Sequence, residues 1–99
     1  MEAYSFSAAA VSSNFRLGRL LATPQVLADV QNGEILLALK RHAECDWGNL
    51  NAEDRDANIQ ALAHGERLFS SYRSESGIKF WIITEADRSA TTVLLPEDY

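Results

Sequence analysis

Residues 81–99, WIITEADRSATTVLLPEDY, decide how the chain is read. A strand-like run, Trp81 to Thr84, gives way to Glu85-Ala86-Asp87-Arg88-Ser89 and resumes from Ala90 to Leu95. β-Branched and aromatic side chains on both sides of a short polar interval are the pattern of a hairpin. The interval suits a loop of four or five residues built on a type I turn, with Asp87 and Ser89 able to bond the backbone locally. The same interval could also carry a recognition loop, with Glu85, Asp87 and Arg88 as its polar groups.

Working outward, Leu68 to Arg73 and Ile78 to Thr84 share this period of two and are separated by Ser74-Glu75-Ser76-Gly77. Short links between consecutive strands imply antiparallel neighbours, so the last third is expected to form a three-stranded meander. The middle of the chain has the helical period instead. Thr23-Pro24 reads as an N-cap followed by proline at the first helical position, and Asn32-Gly33 as the stop of that short helix. A second helix is expected from about Glu34 to Glu44, with Ile35, Leu36, Leu39 and Ala43 on its buried side. Asn51 offers the next N-cap, for a helix from about 52 to 63 with Ile59 and Leu62 as its core residues and His64-Gly65 as its end. Phe15 to Ala22 reads as an edge strand at most, and residues 1–13 as a poorly ordered leader.

Helices first and strands afterwards predict a single α+β domain over residues 14–99. Two or three short helices would pack on one face of a three- to four-stranded antiparallel sheet. In the strand from Ile78 to Thr84 both faces are largely apolar. Helices can cover only one of them, so Trp81 and Ile83, joined by Phe69 and Leu94, are expected at a homodimer or partner interface. The competing expectation is that Tyr4, Phe6 and Phe15 fold back over Trp81 and Ile83.

Composition excludes several classes. Ninety-nine residues, 46 % hydrophobic and 23 % charged, suit one core. A net charge of -5 repels phosphate backbones and anionic lipid, so no direct nucleic-acid binding and no membrane association are expected. No window approaches the ~20 apolar residues that cross a bilayer. The one cysteine, Cys45, closes no internal disulfide, which suits a cytoplasmic location. There is no HExxH, P-loop, GxSxG or glycine-rich phosphate cradle, so no enzyme activity, cofactor or metal is assigned. His42 and Asp46, four residues apart, would share a face if the helix reached that far. With Trp47 they form a candidate ligand site beside the 85–88 turn.

The segments LGRLLATP (17–24), RHAECDWGNL (41–50), NIQALAHGERLFSSY (58–72) and WIITEADRSATTVLLPEDY (81–99) together resemble a family of small uncharacterised bacterial "plasmid-related" proteins carried on plasmids and integrative elements. The resemblance implies a bacterial cytoplasm and an accessory gene on mobile DNA, and it brings no activity and no site. Glu44-Cys45 stands where the family pattern has a glycine before the Asp-Trp, which speaks against a catalytic role for Cys45. The function expected from the residues is therefore a small interaction protein that binds another protein, or itself, through the apolar sheet face. An acidic inhibitor of a host defence nuclease, of DNA-mimic type, and a small ligand binder or enzyme at His42, Asp46 and the 85–88 turn are the alternatives.

Overall fold

A computed structural model of the chain describes residues 2–8 and 12–99. In chain order its elements are β1 (Tyr4–Phe6), β2 (Arg19–Ala22), α1 (Pro24–Asp29), α2 (Asn32–Ala43), α3 (Ala52–His64), β3 (Leu68–Arg73), β4 (Lys79–Thr84) and β5 (Ala90–Leu94), followed by a 3-10 turn over Pro96–Asp98. The fold is α+β. No described helix is long and apolar enough to cross a membrane.

The helix ends follow local chemistry. Thr23 Oγ1 accepts from the Val26 amide at 3.3 Å and Pro24 occupies the first turn, as the Thr-Pro pair predicts. Asn51 Oδ1 accepts from the Asp54 amide at 2.8 Å to open α3, and Gly65 closes it with a left-handed φ of 69°. Asn32-Gly33 departs from expectation. It opens α2 rather than ending α1, because Val30 has already left the helix with an extended φ of -121°. That bend drops Val30 into the core at 2 % exposure.

β3, β4 and β5 are consecutive antiparallel neighbours, but the sheet does not stop there. Its order is β1-β2-β5-β4-β3, and β2 runs parallel to β5 with Arg19 opposite Ala90. The expected three- or four-stranded antiparallel sheet is thus a five-stranded mixed one. Short links dictate antiparallel pairing only for strands that follow one another, and β2 reaches β5 after three helices and two strands. The expected leader is corrected as well. Tyr4, Ser5 and Phe6 pair antiparallel with Ala22, Leu21 and Leu20, while residues 9–11 lie outside the described residues.

The inner face carries Ala22, Tyr72, Phe80, Ile82 and Val93 under α1 and α2, where Val26, Ile35 and Leu39 of the helices and Val30 between them complete the core. Leu36, expected beside Leu39, is 42 % exposed, whereas Leu39 is fully buried. α3 takes a different position. It turns Asn58 and Ala61 inward and leaves Ile59 and Leu62 at 59 % and 38 % exposure, the reverse of the expected face.

The reason is the sheet edge. Phe69 and Ser71 point their backbone groups away from β4, and an open row of this kind invites another strand. Asn58 answers it: its Nδ2 donates to the Phe69 carbonyl at 2.5 Å and its Oδ1 accepts from the Phe69 amide at 3.0 Å. At the next outward position, Ser71 donates to the Trp47 carbonyl at 3.2 Å and accepts from the Asn49 amide at 2.7 Å. The β3 edge is closed from within the chain.

Candidate functional site

His42 lies on the inward side of α2 and is fully buried. Its Nδ1 is 2.6 Å from Ser70 Oγ and its Nε2 2.8 Å from Thr84 Oγ1. Thr84 Oγ1 is 2.8 Å from Thr91 Oγ1, which donates to the Leu17 carbonyl at 2.7 Å. That carbonyl can only accept, so it sets the direction of every proton in the chain. Thr91 spends its single proton on Leu17 and accepts from Thr84; Thr84 accepts from Nε2–H; Nδ1 is left to accept from Ser70. His42 is the neutral Nε2–H tautomer. Burial, with the charge of Arg88 as a second cause, lowers its pKa from 6.5 to about 3. The imidazole is a crosslink between α2 and strands β3 and β4, extended to β5 by the Thr84–Thr91 hydroxyl pair. Phe15 and Trp47 close over it edge-on, at centroid distances of 5.5 and 5.4 Å.

The structure separates Asp46 from His42. α2 ends in a Schellman arrangement, in which Asp46 donates its amide to the Arg41 carbonyl and Cys45 donates to that of His42. Cys45 holds the left-handed position with φ 63°, so the helix face on which His42 and Asp46 would align ends before it reaches Asp46. Asp46 instead forms a bidentate pair with Arg41, at 2.8 and 3.2 Å, whose hydrogen bonds lower its pKa. Cys45, Asp46, Trp47, Arg55, Ile59 and Leu62 border an open groove of about 390 Å³. Its charged groups are engaged: Arg55 donates to the carbonyls of Leu50 and Gly48. Among the described residues no three His, Cys, Asp or Glu side chains converge as metal ligands would.

The 85–89 interval is a turn, closed by the Arg88 amide on the Glu85 carbonyl and the Glu85 amide on the Ala90 carbonyl, both at 2.9 Å. Asp87 is exposed and its Oδ1 accepts from the Ser89 amide at 2.9 Å; bonds to Ser89 lower its pKa. Arg88 folds back with φ 61°. Its guanidinium donates to the carbonyls of Glu66 (2.6 Å), Glu85 (3.1 Å), Ala86 (3.2 Å) and Ala61 (3.3 Å). It therefore ties the turn to the C-terminal end of α3, where a cation also suits the helix dipole. Of the three polar residues named for this loop, only Asp87 is fully exposed, and Glu85 is 3.8 Å from Arg67.

On the outer face of the sheet, β3, β4 and β5 present Phe69, Trp81, Ile83 and Leu94 together, as their parity predicts. Ile83 and Leu94 are already buried, at 5 % and 1 %, while Phe69 and Trp81 remain partly exposed. The N-terminal aromatics do not provide the cover: Phe6 packs on the inner core and Phe15 lies against His42 and Trp47. The C-terminus does. Tyr99 meets Trp81 edge-on at 6.1 Å, and Trp81 meets Phe69 edge-on at 5.1 Å. Arg67 stacks over the Tyr99 ring at 5.1 Å and donates to its hydroxyl. Arg67, Phe69, Trp81, Ile83 and Tyr99 line a groove of about 280 Å³. Arg67 and Tyr99 were not legible as site residues; the one signal is that Arg67 directly precedes a strand-like run whose outer face is apolar.

No family model matches the chain, and comparisons with curated proteins and with solved structures return no match.

Proposed function

We propose that the chain is a small binding module that docks another protein in the outer-face groove around Trp81. The observation that carries this reading is the grouping of Arg67, Phe69, Trp81 and Tyr99 at one partly open apolar groove, on a sheet face that α1 and α2 leave uncovered. Arginine, tryptophan and tyrosine are the side chains most enriched where contacts are energetically central, and aromatic pairs already held edge-on lose little freedom on binding. Ile83 and Leu94 serve as the buried floor beneath Trp81 rather than as contact residues. The competing centre of chemistry is absorbed by the fold, since His42, Asp46 and Arg88 are each committed to internal partners. The bacterial cytoplasm and the mobile-element setting implied by the resemblance belong to this reading.

The test is parallel capture from a bacterial lysate on immobilised wild type, Trp81→Ser and Arg67→Ala, with melting curves of each. A protein retained by wild type and lost from both variants, at unchanged melting temperature, supports the groove. An identical set of retained proteins on all three surfaces overturns it.

A further inference from the structure

The two edges of the sheet are treated differently. At β3 the outward backbone groups of Phe69 and Ser71 are satisfied by Asn58 and by Trp47 and Asn49. At β1 they are not. Arg19 and Thr23 donate to Ser89 and Val93 of the β5 segment, so the odd positions of β2 face β5 and Leu20 and Ala22 face β1. Their partners Phe6 and Tyr4 therefore spend their backbone groups on β2, and the N–H and C=O of Ser5 point outward. No described residue bonds them, and Ser5 is exposed.

Beside this edge lies an apolar groove of about 210 Å³ on the helix side, lined by Phe6, Ala22, Leu27, Ile35, Leu36 and neighbours. Tyr4, on the same face of the strand as Phe6, stands 52 % exposed next to it. The edge thus offers a knob, a hole and one outward donor–acceptor pair between them. An extended backbone satisfies such a pair, no side chain of the described residues does so here, and this arrangement is complementary to itself.

We propose that β1 is a dimerisation edge, at which a second copy of this chain adds its own β1 antiparallel about a two-fold axis through Ser5. Ser5 exchanges both backbone hydrogen bonds with Ser5 of the second copy. Tyr4 then stands directly opposite Phe6 of the other chain, in a non-hydrogen-bonded pair where side chains approach most closely. Each Tyr4 ring covers the mouth of the other copy's groove. Like charges do not meet: the same register sets Glu2 against Ala8, and the Glu2 carboxylate is already bonded by its own Tyr4 hydroxyl. The contact is isologous, so it closes at two copies. With Tyr4, Leu27 and Leu36 at 52, 39 and 42 % exposure, the buried area is at the low end of specific interfaces, below ~1,200 Å², and the dimer is weak and concentration-dependent. The axis runs perpendicular to the sheet, so both outer faces and both Trp81 grooves lie on the same side. The dimer does not depend on the partner-docking reading, and the Trp81 variants leave it intact.

The test is sedimentation velocity of the full chain from micromolar to near-millimolar concentration. Wild type is expected to move from 11.0 kDa toward twice that mass. Ser5→Pro keeps the β1–β2 ladder, which Tyr4 and Phe6 supply, and deletes only the outward donor; proline is tolerated at such an edge. It is expected to weaken association at least tenfold, as is Tyr4→Asp, while Trp81→Ser leaves association unchanged. Amide exchange gives an independent readout, in which protection of Ser5 N–H rises with wild-type concentration. A wild type that stays monomeric to near-millimolar concentration overturns the proposal, as does a dimer that survives both β1 variants.

Discussion

The carboxamide of Asn58 holds both backbone groups of Phe69, donating to one and accepting from the other at 2.5 and 3.0 Å, as a neighbouring strand would. Asn58→Ala removes two part-buried bonds and leaves the strand's groups unpaired. The expected cost is about 2–3 kcal/mol, obtained from the shift in denaturant midpoint at unchanged m-value. Asn58→Asp retains the acceptor for the amide but sets an oxygen against the Phe69 carbonyl, and is expected to be no better. Both variants should also aggregate more readily during refolding, because they reopen the β3 edge. Light scattering in refolding assays checks this.

His42 makes stability depend on pH in one direction. Above 6.5 the imidazole is neutral in both folded and unfolded chains and contributes no dependence. Below 6.5 the unfolded chain takes up a proton that the folded chain refuses until about pH 3, so stability falls through that window. The expected loss is ~2–3 kcal/mol over the first two pH units. Urea titrations at stepped pH measure it. In His42→Gln, whose amide can still accept and donate but does not titrate, this part of the slope should vanish even if the baseline stability drops.

Arg88 and Asp87 share a turn but not a role. Asp87→Asn keeps an acceptor for the Ser89 amide and is expected to change stability by less than ~0.5 kcal/mol. Arg88→Lys loses the planar fork that reaches four carbonyls at once, and is expected to cost about 1–2 kcal/mol. Thermal melts of the two variants distinguish them.

Cys45 is a cysteine doing a glycine's work. It sits at φ 63° in the residue that terminates α2, a conformation costly for any side chain with a Cβ. Cys45→Gly is expected to stabilise the chain by about 0.5–1 kcal/mol, in spite of the greater freedom that glycine gives the unfolded state. Denaturant melts show the sign.

Leu36 and Leu39 separate core from surface on one helix. Leu39→Ala, at 0 % exposure, should cost about 2–5 kcal/mol, and Leu36→Ala, at 42 %, under ~1 kcal/mol. Equal costs would mean that α2 packs on a different face.

What could be read in the sequence was local. Caps at Thr23, Asn51 and Gly65 and the period of two from Leu68 to Leu95 each depend on a few adjacent residues, and these elements form where expected. The parts that could not be read depend on partners far along the chain. Tyr4-Ser5-Phe6 becomes a strand only because β2 offers it an edge, and β2 is a strand only beside β5. Asn58 looks like a solvent residue until the backbone of Phe69 is placed against it. His42 attracts a functional reading through its proximity in sequence to Asp46, whereas its real partners are Ser70 and Thr84, contributed by two strands, with Thr91 of a third bonded behind Thr84. At the outer face, parity brought Phe69, Trp81, Ile83 and Leu94 together correctly, but nothing local showed that Tyr99 would turn back over them.

The parallel pairing of β2 with β5 sets an order of assembly. Arg19 and Ala90 are neighbours in the sheet yet lie at opposite ends of the chain, so closing that contact orders a very long loop. During synthesis, β1 and β2 leave the ribosome long before the strand that holds them, and they have no sheet to join until residues 90–94 follow. β3 and β4 are adjacent in sequence and close only a short loop, but two strands alone are marginal until a third or a helix packs on them. A nascent chain stalled before Ala90 therefore lacks the strand that joins β2 to β4, and the insertion of β5 between them is the event that completes the five-stranded sheet.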